Sequence, residues 1–226
     1  MWDSEYAAQL LPAFLPAFAV TIGATITGFM LAVLFGLLFA IAGRSAAAPV
    51  RWASRSVVEF IRSTPLLVQA FFLYYSVPML TPVAMPAFAT GVLALGLHYG
   101  TYMSEVFRSG IDAVPRGQWE ASTALHLSKR KTWISVILPQ AIPPVIPVMG
   151  NYLIVIFKET PTLMAITLVE LLLTAKTEAS ATYRVFEPYT IVGLLFLAVS
   201  LIFSLGIRRL EKKWSFGREN EKGGLR

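Results

Sequence analysis

From Ala17 to Gly43 the chain reads AFAVTIGATITGFMLAVLFGLLFAIAG, an apolar run without one charged side chain. Crossing a hydrocarbon core takes roughly 20 such residues, and a run of this kind has no place on the surface of a water-soluble domain. A second charge-free run covers Pro188 to Ile207, and three further segments come close: Val57 to Leu80, Pro86 to Val106 and Ile142 to Thr174. The pattern predicts an all-α, polytopic membrane protein with five transmembrane helices in one domain, 1–226. With 56% hydrophobic and 14% charged residues, the composition agrees with that class. The fourth segment is overlong: as one helix it would run roughly 50 Å against a core of roughly 30 Å, so it must tilt, break or leave the bilayer.

Positive charge sorts by connection. Arg44, Arg51 and Arg55 follow the first span, Arg108, Arg116, Lys129, Arg130 and Lys131 follow the third, and the basic tail 208–226 holds Arg208, Arg209, Lys212, Lys213, Arg218, Lys222 and Arg226. The N-terminal segment has Asp3 and Glu5 but no Lys or Arg, and the turn from Thr81 to Met85 has no charge at all. The positive-inside rule then places the N-terminus outside and the C-terminus in the cytoplasm. No basic residue precedes the first apolar run, which argues against a cleavable signal peptide. The net charge of +6 is accounted for by these cytoplasmic ends and by membrane lipid headgroups, with no need for nucleic acid. There is no cysteine and there are two histidines, so neither a disulfide framework nor an ordinary metal site is expected.

One stretch interrupts the hydrocarbon. GQWEASTALHLSKRKTWISVILPQ, from Gly117 to Gln140, lies in the predicted cytoplasmic loop 107–141. Ala121, Ala124 and Leu125 share one face of a short helix, and Trp133, Val136 and Ile137 share one face of a second. The basic cluster Lys129 to Lys131 stands between them. Periodicity alone leaves two readings open: an interfacial helix anchored on lipid headgroups, or a docking surface for a cytoplasmic partner.

The residues Glu120 and Ala121, followed at fixed distance by Val136, Leu138 and Pro139, resemble the coupling loop of type I ABC importer permeases. The flanks EFIRSTPLLVQAFFLYY from Glu59, GTYMSEVFRSGIDAVPRGQWEAS from Gly100 and NYLIVIFKETPTLMAITLVELL from Asn151 are similar to the polar amino acid branch of that family, of histidine or glutamine type. The longer run from Phe71 through Ala121 resembles the permease subunits of ectoine/hydroxyectoine importers. Two positions depart from the family pattern: Ser122 stands where a second alanine is expected and His126 where glycine is expected. Histidine tolerates positive φ better than most residues, so the turn should persist.

The resemblance implies a non-catalytic permease subunit in the bacterial inner (plasma) membrane. Its implied partners are an ABC ATPase dimer, a second permease subunit that is a homologous chain or a second copy, and an extracytoplasmic solute-binding protein. It implies ATPase coupling through Gly117, Glu120, Ala121, Ser122, His126, Leu138 and Pro139, with Leu138 and Pro139 ending the elbow and starting the fourth span. No phosphate-cradling Gly-x-x-x-x-Gly-Lys-[Ser/Thr] pattern occurs in the sequence, so this chain carries no cofactor and ATP-Mg belongs on the partner. The implied cargo is a polar amino acid or amino-acid-like solute, ectoine first, with glutamine, histidine or arginine as alternatives.

Ionisable groups at bilayer depth are costly and seldom face lipid. Lys158 and Glu159, directly before Thr160 and Pro161, mark a helix break that lines the translocation pathway, or else a pair that holds a subunit interface. His98, Tyr99 and Asn151 are the neutral polar groups expected beside it. Glu59 and Arg62, one turn apart, form an intrahelical or intersubunit pair. Two other classes remain: a membrane enzyme using Glu105, His98 or Glu170, for which no nucleophile–base spacing exists, and an autonomous channel or secondary transporter, which would need paired repeats the sequence lacks.

Overall fold

A computed structural model describes residues 2–223, with side chains through residue 211. The element order is α1 (Ser4–Gly43), α2 (Ala48–Arg62), α3 (Leu66–Leu80), α4 (Ala87–Asp112), α5 (Arg116–Ala124), α6 (Lys129–Ile166), α7 (Leu171–Thr182) and α8 (Phe186–Gly223), with no strand among the described residues. Three of these are long and apolar enough to cross a membrane: α1, α6 and the Phe186–Glu211 part of α8. The pair α2 and α3 makes a fourth when taken as one bent span. The expected five is therefore not reached by length and composition. The third expected span is the 26-residue α4, whose turns carry His98, Glu105, Arg108 and Asp112.

Small residues set the central packing. Ala24, Gly28, Ala32, Gly36 and Ala40 recur at every fourth position of α1 and all are buried, so they form one continuous seam along the helix. Gly96 and Gly100 of α4, also buried, face that seam. A Cβ on Gly100 would stand 2.7 Å from Phe35 Cβ, and one on Gly36 would collide with Met103 and lie 3.1 Å from the Gly100 carbonyl. Between membrane helices, where lipid is as apolar as leucine, such close backbone approach is a main source of association. Leu95, Met103, Ile156, Leu163 and Ile166 fill the core around the seam.

Several boundaries differ from the sequence reading. α1 begins at Ser4, well before Ala17, and contains Pro12 and Pro16; Asp3 caps it, its Oδ1 accepting from the N–H groups of Glu5 and Tyr6. At 40 residues α1 is about 60 Å long, roughly twice a bilayer core. The connection after it is not a loop but the amphipathic α2, which Pro49 starts in the position where a missing N–H removes no bond. The second span does not run straight from Val57: it bends by 104° between α2 and α3, at Ser63 to Pro65. The second short helix expected in the loop is continuous with the fourth span, which therefore starts at Lys129 and not at Leu138. In it the Leu138 N–H bonds the Trp133 carbonyl five residues back, and Val77 does the same to Phe72. A proline follows each of these residues. Its ring crowds the carbonyl four positions back and it has no N–H to offer, so one widened turn accommodates both effects.

The expected break at Lys158–Pro161 is a tightening. The α-helix passes into a 3₁₀ turn over Thr160–Ile166, and the Thr160 hydroxyl donates to the Phe157 carbonyl at 2.8 Å. That carbonyl is the one a non-proline residue at 161 would have engaged. The chain reverses later, at Thr167 (φ 64°), and Glu170 then caps α7, its carboxylate accepting from Leu172 and Leu173 N–H at 2.9 and 2.7 Å. Residues 171–182, partly assigned to the fourth span by hydropathy, are this separate helix.

At the end of the bundle away from α5, the start of α1 is clasped to the connection between α7 and α8. Arg184 donates to Asp3 Oδ2 at 2.7 Å and stacks on the Tyr6 ring, and Glu187 accepts from the Asp3 N–H at 3.0 Å. The Arg184 hydrogen bond, first among the causes, holds the Asp3 carboxyl below its ordinary range. A depressed folded value means that this stabilisation is present above the ordinary carboxylate pKa and is lost as pH falls through the depressed one. Thermal unfolding of the purified protein should therefore show an acid-side loss of stability that Asp3→Asn diminishes. An unchanged acid profile in the variant would show that the clasp contributes nothing.

Candidate functional site

The coupling loop forms a raised surface at the Gly43 and Asp112 end of the bundle, where Arg44 pairs with Asp112 at 2.6 Å. Trp119 stacks edge-on against Trp133 with ring centres 5.3 Å apart, and Val114, Ile137 and Ala141 form the small core beneath. This packing turns α5 so that Trp119 and Ser122 face inward. Ser122 is 3% exposed, and its hydroxyl donates to the Gln118 carbonyl at 2.8 Å. Gly117, Glu120, Ala121 and His126 face outward, as does Leu125 at 72% exposure, and a Cβ on Gly117 would meet nothing. The apolar face read from Ala121, Ala124 and Leu125 is thus presented away from the chain.

His126 ends α5 in the left-handed region at φ 51°. The His126 N–H bonds the Thr123 carbonyl and the Leu127 N–H bonds the Ser122 carbonyl, both at 3.0 Å. These are the paired bonds of a Schellman cap, which usually recruits glycine. Leu138 and Pro139 are exposed on the widened turn of α6, on the same end of the molecule.

Within the bundle, Arg62, Ser63, His98, Tyr99, Tyr102 and Glu159 line a cavity of about 440 Å³. Three of the five expected pathway residues, His98, Tyr99 and Glu159, therefore meet. Asn151 and Lys158 do not: both lie on the exposed face of α6, and Tyr152 packs against Tyr99 and Tyr102 instead. Lys158 does not pair with Glu159, because adjacent helical residues point apart. Nor does Arg62 pair with Glu59. The bend turns Arg62 toward α4, where its guanidinium stacks over Tyr102 at 5.3 Å and faces Glu105 at 3.9 Å. Glu105 is held more tightly by Arg108, at 2.5 Å.

Gln69 fixes this wall. Its amide nitrogen lies 2.7 Å from the Ile61 carbonyl, 3.0 Å from the Thr64 carbonyl and 2.8 Å from the Thr64 hydroxyl, its two protons shared among the three acceptors so that they lace the bend together. Its oxygen is thereby turned to His98 Nδ1 at 3.3 Å. An amide oxygen only accepts, so this network assigns the His98 proton to Nδ1. The sequence reading missed Gln69, Tyr102 and Tyr152, although His98, Tyr102 and Glu105 fall at i, i+4 and i+7 and form one polar stripe on α4.

The described residues thus form a bundle of membrane helices with an outward-turned loop at one end and a polar cavity between helices, and similarity to known proteins places it among importer permeases. The family of binding-protein-dependent transport system inner membrane components matches residues 32–216, and the chain belongs to it. It is 44% identical over 175 residues to a probable amino-acid ABC transporter permease of Sinorhizobium fredii, covering 77% of this chain and 75% of that protein. To a probable glutamine ABC transporter permease of Bacillus subtilis it is 31% identical, covering 80% and 83%. The crystal structure of an amino acid ABC transporter with histidines superposes with a TM-score of 0.88 at 33% identity, over 94% of this chain and 99% of that one. The MetNI methionine ABC transporter, at 16% identity and a TM-score of 0.68, shares the fold.

Proposed function

We propose that the chain is the permease subunit of an importer for amino-acid-like zwitterions, working with a cytoplasmic ATPase dimer, a second permease subunit and an extracytoplasmic binding protein. The observation that carries this reading is the cavity's lining: a guanidinium from Arg62 and a carboxylate from Glu159, together with the rings of Tyr99, Tyr102 and His98. A zwitterion needs one group of each sign, and aromatic faces favour a delocalised cation. Ectoine and hydroxyectoine, which combine a carboxylate with a cyclic amidinium, meet that description, and the resemblance of Phe71 through Ala121 to ectoine permeases supports them ahead of glutamine, histidine or arginine. The N-terminus lies outside and the C-terminus inside, the orientation the basic loops favour. In the coupling loop, Glu120, Ala121 and the exposed residues around them receive the ATPase, while Ser122 holds α5 in register from below. Of the basic tail 208–226, the side chains beyond 211 lie outside the described residues.

Reconstitution of the chain with its ATPase and binding protein in liposomes tests the reading. ATP-dependent uptake of labelled ectoine, displaced best by unlabelled ectoine, is the expected result. Uptake displaced instead by glutamine or arginine would reassign the cargo. Transport by the chain alone, without ATP, would favour an autonomous carrier and sink the importer reading.

A further inference from the structure

A second cavity, about 630 Å³, lies between α2 and the ends of α1 and α4 on the coupling-loop side, lined by Ser56, Glu59, Ser104, Glu105 and Arg108 among others. Arg62 and Ser63 line both this vestibule and the membrane cavity, so they stand where the two meet. Arg62 closes α2 at the 104° bend, and it is held there by two weak contacts, the Tyr102 face at 5.3 Å and Glu105 at 3.9 Å. The Arg62 side chain donates no hydrogen bond shorter than that ionic contact among the described residues, and its side chain is 36% exposed. Glu105 does not depend on it, since Arg108 engages the same carboxylate at 2.5 Å.

A long cation standing between two water-accessible chambers, with an anion that stays satisfied when the cation leaves, has the properties of a latch. We infer that Arg62 is the gate between the membrane cavity and the vestibule, closed by its contacts with Tyr102 and Glu105 and opened by rotation of its side chain toward the vestibule. This rests on the reading of the membrane cavity as a transport site, but its test uses no substrate. Failure of the uptake experiment and failure of the gate are therefore separate results.

The sequence contains no cysteine, so single cysteines can report on each chamber. In the assembled transporter in inside-out vesicles without ATP, Leu66→Cys reports on the membrane cavity and Ser56→Cys on the vestibule. A membrane-impermeant thiol reagent is added and labelling of this chain is read by mass. With Arg62 in place, Leu66→Cys should react at least about tenfold more slowly than Ser56→Cys, in part because Leu66 is itself buried, so the gate is read from the change that substitutions of Arg62 produce. Arg62→Ala should raise the Leu66→Cys rate by about the same factor and leave the Ser56→Cys rate unchanged, whereas Arg62→Lys, which keeps the cation, should remain slow. Glu105→Gln should raise the rate partway. Leu66→Cys rates that are equal with Arg62 in place, with Arg62→Ala and with Arg62→Lys would overturn the gate. A parallel rise at Ser56→Cys would assign the effect to general loosening and overturn it as well.

Discussion

Gly36→Leu is expected to prevent the chain from accumulating as a folded membrane protein. The new side chain has nowhere to go: its Cβ alone would collide with Met103 and lie 3.1 Å from the Gly100 carbonyl, on the inside of the α1–α4 contact. Overpacking a well-filled core costs about 1–3 kcal/mol where side chains can move aside. Here a carbonyl is among the obstructing atoms, so the helices themselves must separate, and the neighbouring contacts at Gly28, Gly96 and Gly100 are lost with them. The measurement is the yield of monodisperse protein in mild detergent, with Gly43→Leu as the comparison, since a Cβ at Gly43 meets nothing within 4 Å. Comparable yields of the two variants would show that the small-residue seam does not hold α1 to α4.

Glu120→Lys is expected to do the opposite: leave the fold intact and abolish coupling. Glu120 is exposed and has no ion pair among the described residues, so its replacement disturbs nothing beneath it. If α5 is received by the ATPase, reversing a charge at the contact should weaken association by about 2 kcal/mol or more, roughly thirtyfold in affinity. ATPase co-purification and ATP-driven uptake should fall together, with the permease yield unchanged. Retention of both would remove Glu120 from the docking surface. Ser122→Leu provides the contrast, because that side chain is buried and its substitution should lower the permease yield itself.

What the sequence reveals and what it conceals divide along a physical line. Charge-free runs disclose membrane helices because the bilayer penalises every exception. They disclose less where a helix lines water: α4 carries its polar stripe for that reason and falls below the apolar standard of its neighbours. The bend at Ser63–Pro65 stays hidden because its cause is a tertiary network through Gln69, invisible to hydropathy. Hydropathy starts the first span after Pro16, in keeping with the habit of prolines to end helices, yet Asp3 caps α1 far upstream. Of the candidate pathway residues, the structure brings some together and separates others from their expected partners. His98, Tyr99 and Glu159 converge, but spacing suggests Glu59 and Glu159 as ion-pair partners for Arg62 and Lys158. Lys158 and Glu159 are adjacent on a helix and point apart, and Arg62 at the bend meets Tyr102 and Glu105 of α4 instead.

Gln69 carries a mechanical consequence. One amide group bonds both sides of the bend and also the imidazole in the cavity wall, so α2 and α3 are tied into one bent unit with its elbow at the cavity. A push on α2 that flexes Ser63 has to break the Gln69 bonds to Ile61 and Thr64; otherwise α3 turns with it. While those bonds hold, a movement of α2 is shared by the part of the cavity wall that Gln69 ties to His98.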